Sequence, residues 1–214
     1  TAVKHLIDSK YSNVEIDLTL VNAQDIQVQV LGNANKPGIY VVNPFSKVVE
    51  IVAKAGGPAQ VGSLIDIKVL RHGKEIMVFN LYDYIIKGDT SKNIRLQHDD
   101  VVYIPEMKNL VAVRGDVVYP GIYEIPDQFL LSKAIEMAGG MVPTIFGRKI
   151  VILRINPESQ VTEVRKEISF SSSHEVLPGQ DIVVQNYDTI FVTTKSDCVP
   201  YTVDLYKNVK IFGE

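Results

Sequence analysis

The sequence predicts an α+β protein made of two tandem copies of one unit, each a small mixed sheet with one main helix. Three observations predict it: a gapless internal repeat, strict two-residue alternation at the start of each copy, and a helical stripe ending in paired glycines. Val28-Gln-Val-Leu-Gly32 followed by Pro37-Gly-Ile-Tyr40 returns 83 residues later as Val111-Ala-Val-Arg-Gly115 followed by Pro120-Gly-Ile-Tyr123. The same offset carries Ala55-Gly-Gly57 onto Ala138-Gly-Gly140. Residues 28–57 and 111–140 align with ten identities, where chance supplies about two. Ile67, Leu70 and Arg71 keep the register on Ile150, Leu153 and Arg154; Gln97–Ile104 then matches Gln185–Val192 at an offset of 88, which puts a net insertion of five residues into the second copy. Ser171-Ser-Ser173 and Pro178-Gly179 are the loop signals that place it.

Each element follows from local pattern. Ile26, Val28 and Val30 alternate with Gln27 and Gln29, the period of a half-buried strand. Pro37-Gly38 and Pro120-Gly121 have the composition of positions i+1 and i+2 in a type II turn, so a second strand is expected to return through Tyr40 and Tyr123. Val48, Ile51, Val52 and Ala55, matched by Leu131, Ala134, Ile135 and Ala138, make one apolar helical stripe. Gly56-Gly57 and Gly139-Gly140 stop those helices as left-handed caps. Short strands around 67–70, 76–79 and 101–104 close the first unit. One helix on a small mixed sheet is a β-grasp arrangement, and about 80 residues suffice for one such core.

The succession V-x-V-x-G, then P-G-x-Y, then a helix ending A-G-G, then a D-x-V-x-V-like strand resembles the SLBB (soluble-ligand-binding β-grasp) domain. Its motif residues are Gly32, Pro37, Gly38, Gly56 and Gly57, repeated as Gly115, Pro120, Gly121, Gly139 and Gly140. Tandem copies are similar to those of bacterial outer-membrane polysaccharide export proteins. On that resemblance the chain divides into four parts. Residues 1–24 are the tail of an upstream export-specific domain, with an amphipathic helix at Val3, Leu6 and Ile7 and a strand in which Val14, Ile16, Leu18 and Leu20 alternate with polar residues. Residues 25–107 and 108–195 are two SLBB-like β-grasp domains joined through Pro105–Asn109. Residues 196–214 are a linker and, at Val209, Ile211 and Gly213, the start of a third copy. The chain reads as a piece of a longer protein.

Composition excludes several functions. The formal charge of −3 offers no basic field for nucleic acid. The single cysteine, Cys198, makes no intrachain disulfide, and no apolar run approaches the roughly 20 residues of a membrane span. His5, His72, His98 and His174 lack metal-ligand spacing, so no metal and no cofactor is expected. His98-Asp99-Asp100 reads as a solvated turn ahead of a strand. No phosphate loop, nucleophile elbow or separated acid pair is present, so the chain is not expected to be an enzyme.

Tyr40 and Tyr123 recur at equivalent positions and are candidates for contact with sugar, with packing against the helix as the competing reading. Arg71 and Arg154 also recur and are candidates for an anionic polymer; their competing reading is an ion pair with a neighbouring carboxylate. The resemblance implies a periplasmic segment of a capsule or exopolysaccharide export conduit, associated with the outer membrane in the full-length protein. Its implied partners are the polysaccharide, further copies of itself in a ring and an inner-membrane polysaccharide export partner. A second expectation is a binding module that captures a soluble ligand, a glycan or a cobalamin-like molecule, between its two domains.

Overall fold

The structure, a computed structural model, describes residues 23–142, 148–155, 162–170 and 179–193. The expected N-terminal helix and strand, the Ser171–Ser173 loop, His5, His174, Cys198 and the third-copy strand lie outside the described residues. In the first copy the strands are β1 (Ile26–Gly32), β2 (Gly38–Val42), β3 (Ile67–Arg71), β4 (Lys74–Phe79) and β5 (Val101–Ile104). They form one mixed sheet in the order β2-β1-β5-β3-β4, in which only β1 and β5 are parallel. The second copy has β6 (Asn109–Gly115), β7 (Gly121–Ile125), the short β8 (Phe129–Leu130), β9 (Arg148–Ile155), β10 (Thr162–Phe170), the short β11 (Val183–Val184) and β12 (Thr189–Thr193). Its main sheet, β7-β6-β12-β9-β10, repeats the first topology, with β6 and β12 parallel.

The alternation expected at the start of each copy is present. Val28 and Val30 face inward and are fully buried, as are Val111 and Val113. Opposite them lie helix α1 (Val48–Lys54) in the first copy and, in the second, the helix formed by Leu131–Met137. The stripe residues Val48, Ile51, Val52, Ala55 and Leu131, Ala134, Ile135, Ala138 are all buried. The result is two separate apolar cores, one per sheet.

Both helices end as Schellman motifs. Gly56 N–H donates to Ala53 O and Gly57 N–H to Val52 O, at 2.9 and 2.8 Å, and Gly139 and Gly140 repeat the pair on Glu136 and Ile135. All four glycines have φ between 76° and 80°. Their N-termini lack a local cap; instead Asn93 Oδ1 accepts from Val49 N–H and Asp181 Oδ1 from Ser132 N–H, both from the segment that returns toward the last strand.

Two expectations need correction. Pro37-Gly38 and Pro120-Gly121 do not form type II turns: Gly38 is extended at φ 158°, and Gly38 and Gly121 open β2 and β7. The chain turns earlier, at Gly32 (φ 82°) and Gly115 (φ 85°). The loop that follows is held by the end of the helix, where Asn35 and Lys36 N–H donate to Gly57 O and Ala55 O, and Val118 and Tyr119 N–H to Gly140 O and Ala138 O. The carbonyls released by the helix cap thus set the path of the hairpin. Second, the first copy carries one more helix, α2 (Leu81–Lys87), so the Leu131–Met137 helix is α3. Asn80 caps α2 by accepting from Tyr82 and Asp83 N–H, and Gly88 ends it at φ 68°.

Candidate functional site

The two copies meet at a junction built around one buried carboxylate. Tyr123 and Ile125 of β7 point into the second core, so alternation turns Glu124 to the opposite face, where a solvated residue would be ordinary. Glu124 is instead buried. Its Oε1 accepts from Ser63 Oγ at 2.7 Å, and its Oε2 accepts from Leu64 N–H at 2.6 Å and Ile65 N–H at 3.3 Å. All three donors belong to the first copy.

Ser63 is itself fixed. Its Oγ also accepts from Asp66 N–H at 2.9 Å, and its own N–H donates to Pro105 O. Gly62 bridges to Glu106, and Met107 N–H donates to Val61 O, so the loop that grips Glu124 also grips the connection between the copies. A Cβ at Gly62 would run into Asn33 O, which is why the loop can lie so close to the first hairpin.

Tyr82 of α2 completes the junction by packing against the second core, its ring 6.2 Å from that of Tyr123. Its hydroxyl accepts from Glu124 N–H at 3.3 Å, and burial pushes its pKa up to about 12. Beside it lies a cleft of about 220 Å³ lined by Ile65, Tyr82, Ile86, Phe129 and Met137, with charged groups at its rim. The rim charges are paired along their own helices, Lys87 with Asp83 at 2.8 Å and Lys133 with Glu136 at 2.7 Å. Those contacts raise the pKa of Lys87 and lower that of Glu136.

The four residues singled out from sequence lie away from this junction or serve the fold within it. Arg71 Nε and Nη2 donate to the two oxygens of Asp100 at 2.8 and 2.9 Å; Arg154 does the same to Asp188 at 2.6 and 2.7 Å. Asp100 also accepts from Gln97 N–H, and Asp188 from Gln185 N–H, so each pair ties β3 or β9 to the turn before the last strand. Tyr40 donates its hydroxyl hydrogen bond to Lys36 O and Tyr123 to Tyr119 O, each at 2.5 Å, closing the hairpin loop four residues upstream. The expected solvated turn at 98–100 is half correct: the side chains of His98 and Asp99 are exposed, but that of Asp100 has no exposure at all. The pairing had a sequence signal, since Arg71 and Asp100 recur together as Arg154 and Asp188.

Glu124 and Ser63 had a fainter signal. At the repeat position of Glu124 the first copy has Val41, so an acid replaces an apolar residue in an otherwise matched hairpin. Among the described residues no group of three or more His, Cys, Asp or Glu side chains is placed to hold a metal ion.

A duplicated β-grasp unit with this hairpin and this helix cap defines a class of domain. The SLBB domain family model matches residues 27–80 and 110–164, half of the chain, and the chain belongs to that family. Two curated relatives, each a polysialic acid transport protein KpsD of Escherichia coli, are 28% identical to it over 185 residues. That match covers 86% of this chain and 31% of the relative, so the chain spans about a third of the length of the proteins it resembles.

Proposed function

We propose that this chain is a periplasmic segment of a polysaccharide export conduit, with residues 25–107 and 108–195 acting as paired assembly modules rather than as a catalyst. The observation that carries the reading is the span of the likeness to a polysialic acid transport protein: at 86% of this chain it runs through both copies and their junction. The buried Glu124 contact supports it, because a wall element must hold a fixed angle between its modules. In the full-length protein such modules from several copies line a ring around the path of the polymer, associated with the outer membrane and facing an inner-membrane export partner. Weak contacts per module add up only when all are present, so the 214 residues alone are expected to be monomeric or weakly associated at micromolar concentration.

The cleft at the junction counts against capture of a soluble ligand. At about 220 Å³ it falls below the roughly 300–1,000 Å³ of small-molecule sites. The test is in-frame removal of residues 25–195 from the full-length protein in its own cells. The polymer is then made but retained, while the protein still reaches its membrane; unchanged polymer at the surface would overturn the proposal. Calorimetry with oligosaccharide and cobalamin separates the readings, since saturable micromolar binding to this chain would favour a capture module.

A further inference from the structure

After β2 the chain makes the turn Asn43-Pro-Phe-Ser46, in which Phe45 N–H donates to Asn43 Oδ1 and Ser46 N–H to Asn43 O, each at 2.9 Å. The next residue, Lys47, forms an antiparallel β-bridge with Arg95 of the segment that returns toward β5. Val48 N–H donates to Ile94 O at 3.1 Å and Leu96 N–H to Ser46 O at 3.0 Å, so hydrogen bonds flank the bridge on both sides. Lys47 and Arg95 are thus a non-hydrogen-bonded pair, the kind in which facing side chains come closest. The Arg95 guanidinium lies over the Phe45 ring, 4.7 Å from its centroid. All three residues are exposed, Phe45 at 48%. The second copy makes the same bridge with other side chains: Leu130, 83 residues after Lys47, pairs with Val183, 88 residues after Arg95, and Gln128 stands where the first copy has Phe45. The fold therefore needs neither cation at this bridge. Like charges directly opposite each other work against such a pairing. Among the described residues neither Lys47 nor Arg95 has a carboxylate partner, whereas Arg71 and Arg154 are taken up by Asp100 and Asp188.

We infer that Phe45, Lys47 and Arg95 form a contact site for the carboxylate of an acidic sugar unit, built into the first copy and not the second. The site rests on the conduit reading and adds to it the chemical class of the polymer. A guanidinium stacked on a ring keeps its N–H edge for a ligand, and that planar fork matches the two oxygens of a carboxylate. Lys47, facing Arg95 across the bridge, supplies a second positive charge to the same anion. The exposed part of Phe45 offers an apolar surface to the C–H groups of the sugar ring that carries the carboxylate. A small inorganic anion would use the two cations and leave the aromatic ring idle. Exposed charge contacts are worth little in water, so the affinity per sugar unit is millimolar, which suits a polymer that must move on.

Nuclear magnetic resonance titration of the whole chain tests this, with oligogalacturonate as the carboxylated probe, a maltooligosaccharide of the same length as the neutral one, and inorganic phosphate as the free anion. Oligogalacturonate is expected to shift the amide signals of residues 45–47 and 94–96, to leave Gln128, Leu130 and Val183 unmoved, and to bind more weakly as salt is raised. Lys47→Leu with Arg95→Val installs the side chains that the second copy carries, and should weaken that binding about tenfold or more. Arg95→Gln alone, which changes only an exposed head group, should act in the same direction and covers the case of a double variant that does not fold. Phe45→Ala should weaken oligogalacturonate about threefold and leave phosphate unchanged. Absence of the shifts, equal shifts with the neutral oligosaccharide, undiminished binding in the variants, or phosphate binding as tightly as the sugar would each overturn the inference. Capture of the chain by phosphatidylglycerol vesicles in place of oligogalacturonate would overturn it too, by assigning the cations to a lipid surface. Such a failure, with polymer still retained when residues 25–195 are removed, would strike the sugar contact alone and leave the conduit reading standing.

Discussion

At the scale of single residues, the repeated arginines show how one pair of charges can be used twice for the same purpose. Asp100 and Asp188 have no side-chain exposure, while about a quarter of each arginine side chain reaches solvent. Removing the arginine therefore takes the guanidinium partner away from a fully buried carboxylate. Arg71→Ala and Arg154→Ala should each cost about 3 kcal/mol in urea unfolding, the low end for a broken buried pair. Lysine at either position should recover only part of that, because one ammonium cannot serve both oxygens as the guanidinium fork does; a loss below about 1 kcal/mol would show that the turn holds itself.

Tyr82 gives a pH dependence with a definite sign. Burial raises its folded pKa to about 12, above the ordinary value of 10.0, so the folded state keeps the proton longer than the unfolded state. Its contribution is complete below pH 10 and is lost between about pH 10 and 12, at about 1.4 kcal/mol per pH unit. Tyr82→Phe should flatten that part of the alkaline stability curve relative to the parent, and an identical slope in both proteins would contradict the assignment.

At the scale of elements, glycine identity matters for two different reasons that substitution can separate. Gly57 has φ 78° with open space around a new Cβ, so Gly57→Ala should cost only the left-handed strain of roughly 1–2 kcal/mol. Gly32 has φ 82°, and a Cβ there would also strike Ile104 O on the parallel neighbour β5. Gly32→Ala should therefore be clearly the more damaging and should perturb the amide signals of Val101–Ile104, whereas equal costs would mean that the strands can part freely. The caps and core stripe were legible in sequence because they depend on residues within one turn of each other. The Pro-Gly turn was misplaced because the loop takes its shape from helix carbonyls some 20 residues away, at Ala55 and Gly57. Helix α2 has no single apolar stripe in the sequence, because its apolar residues divide between the first core (Leu81, Tyr84), the second core (Tyr82) and solvent (Ile85, Ile86).

At the scale of the whole molecule, the relation between the copies rests on a residue that local pattern assigns to solvent. Glu124 occupies the outward position of an alternating strand, and only the packing of the first copy against it makes that position internal. No periodicity could report this. The two cores are otherwise separate, so their mutual stability passes through the Ser63 loop, Tyr82 and Glu124. Glu124→Ala leaves Ser63 Oγ and the N–H groups of Leu64 and Ile65 without this acceptor, at about 1–3 kcal/mol for an unsatisfied buried donor. The first consequence should be loss of coupling rather than loss of either fold: thermal unfolding should separate into two transitions, and small-angle scattering should record a broader range of distances between the copies. Glu124→Gln keeps one oxygen acceptor and should lie between the variant and the parent. A single unshifted transition in Glu124→Ala would mean that the short connection through Pro105–Asn109 fixes the copies by itself, and the buried carboxylate would then have no part in setting their angle.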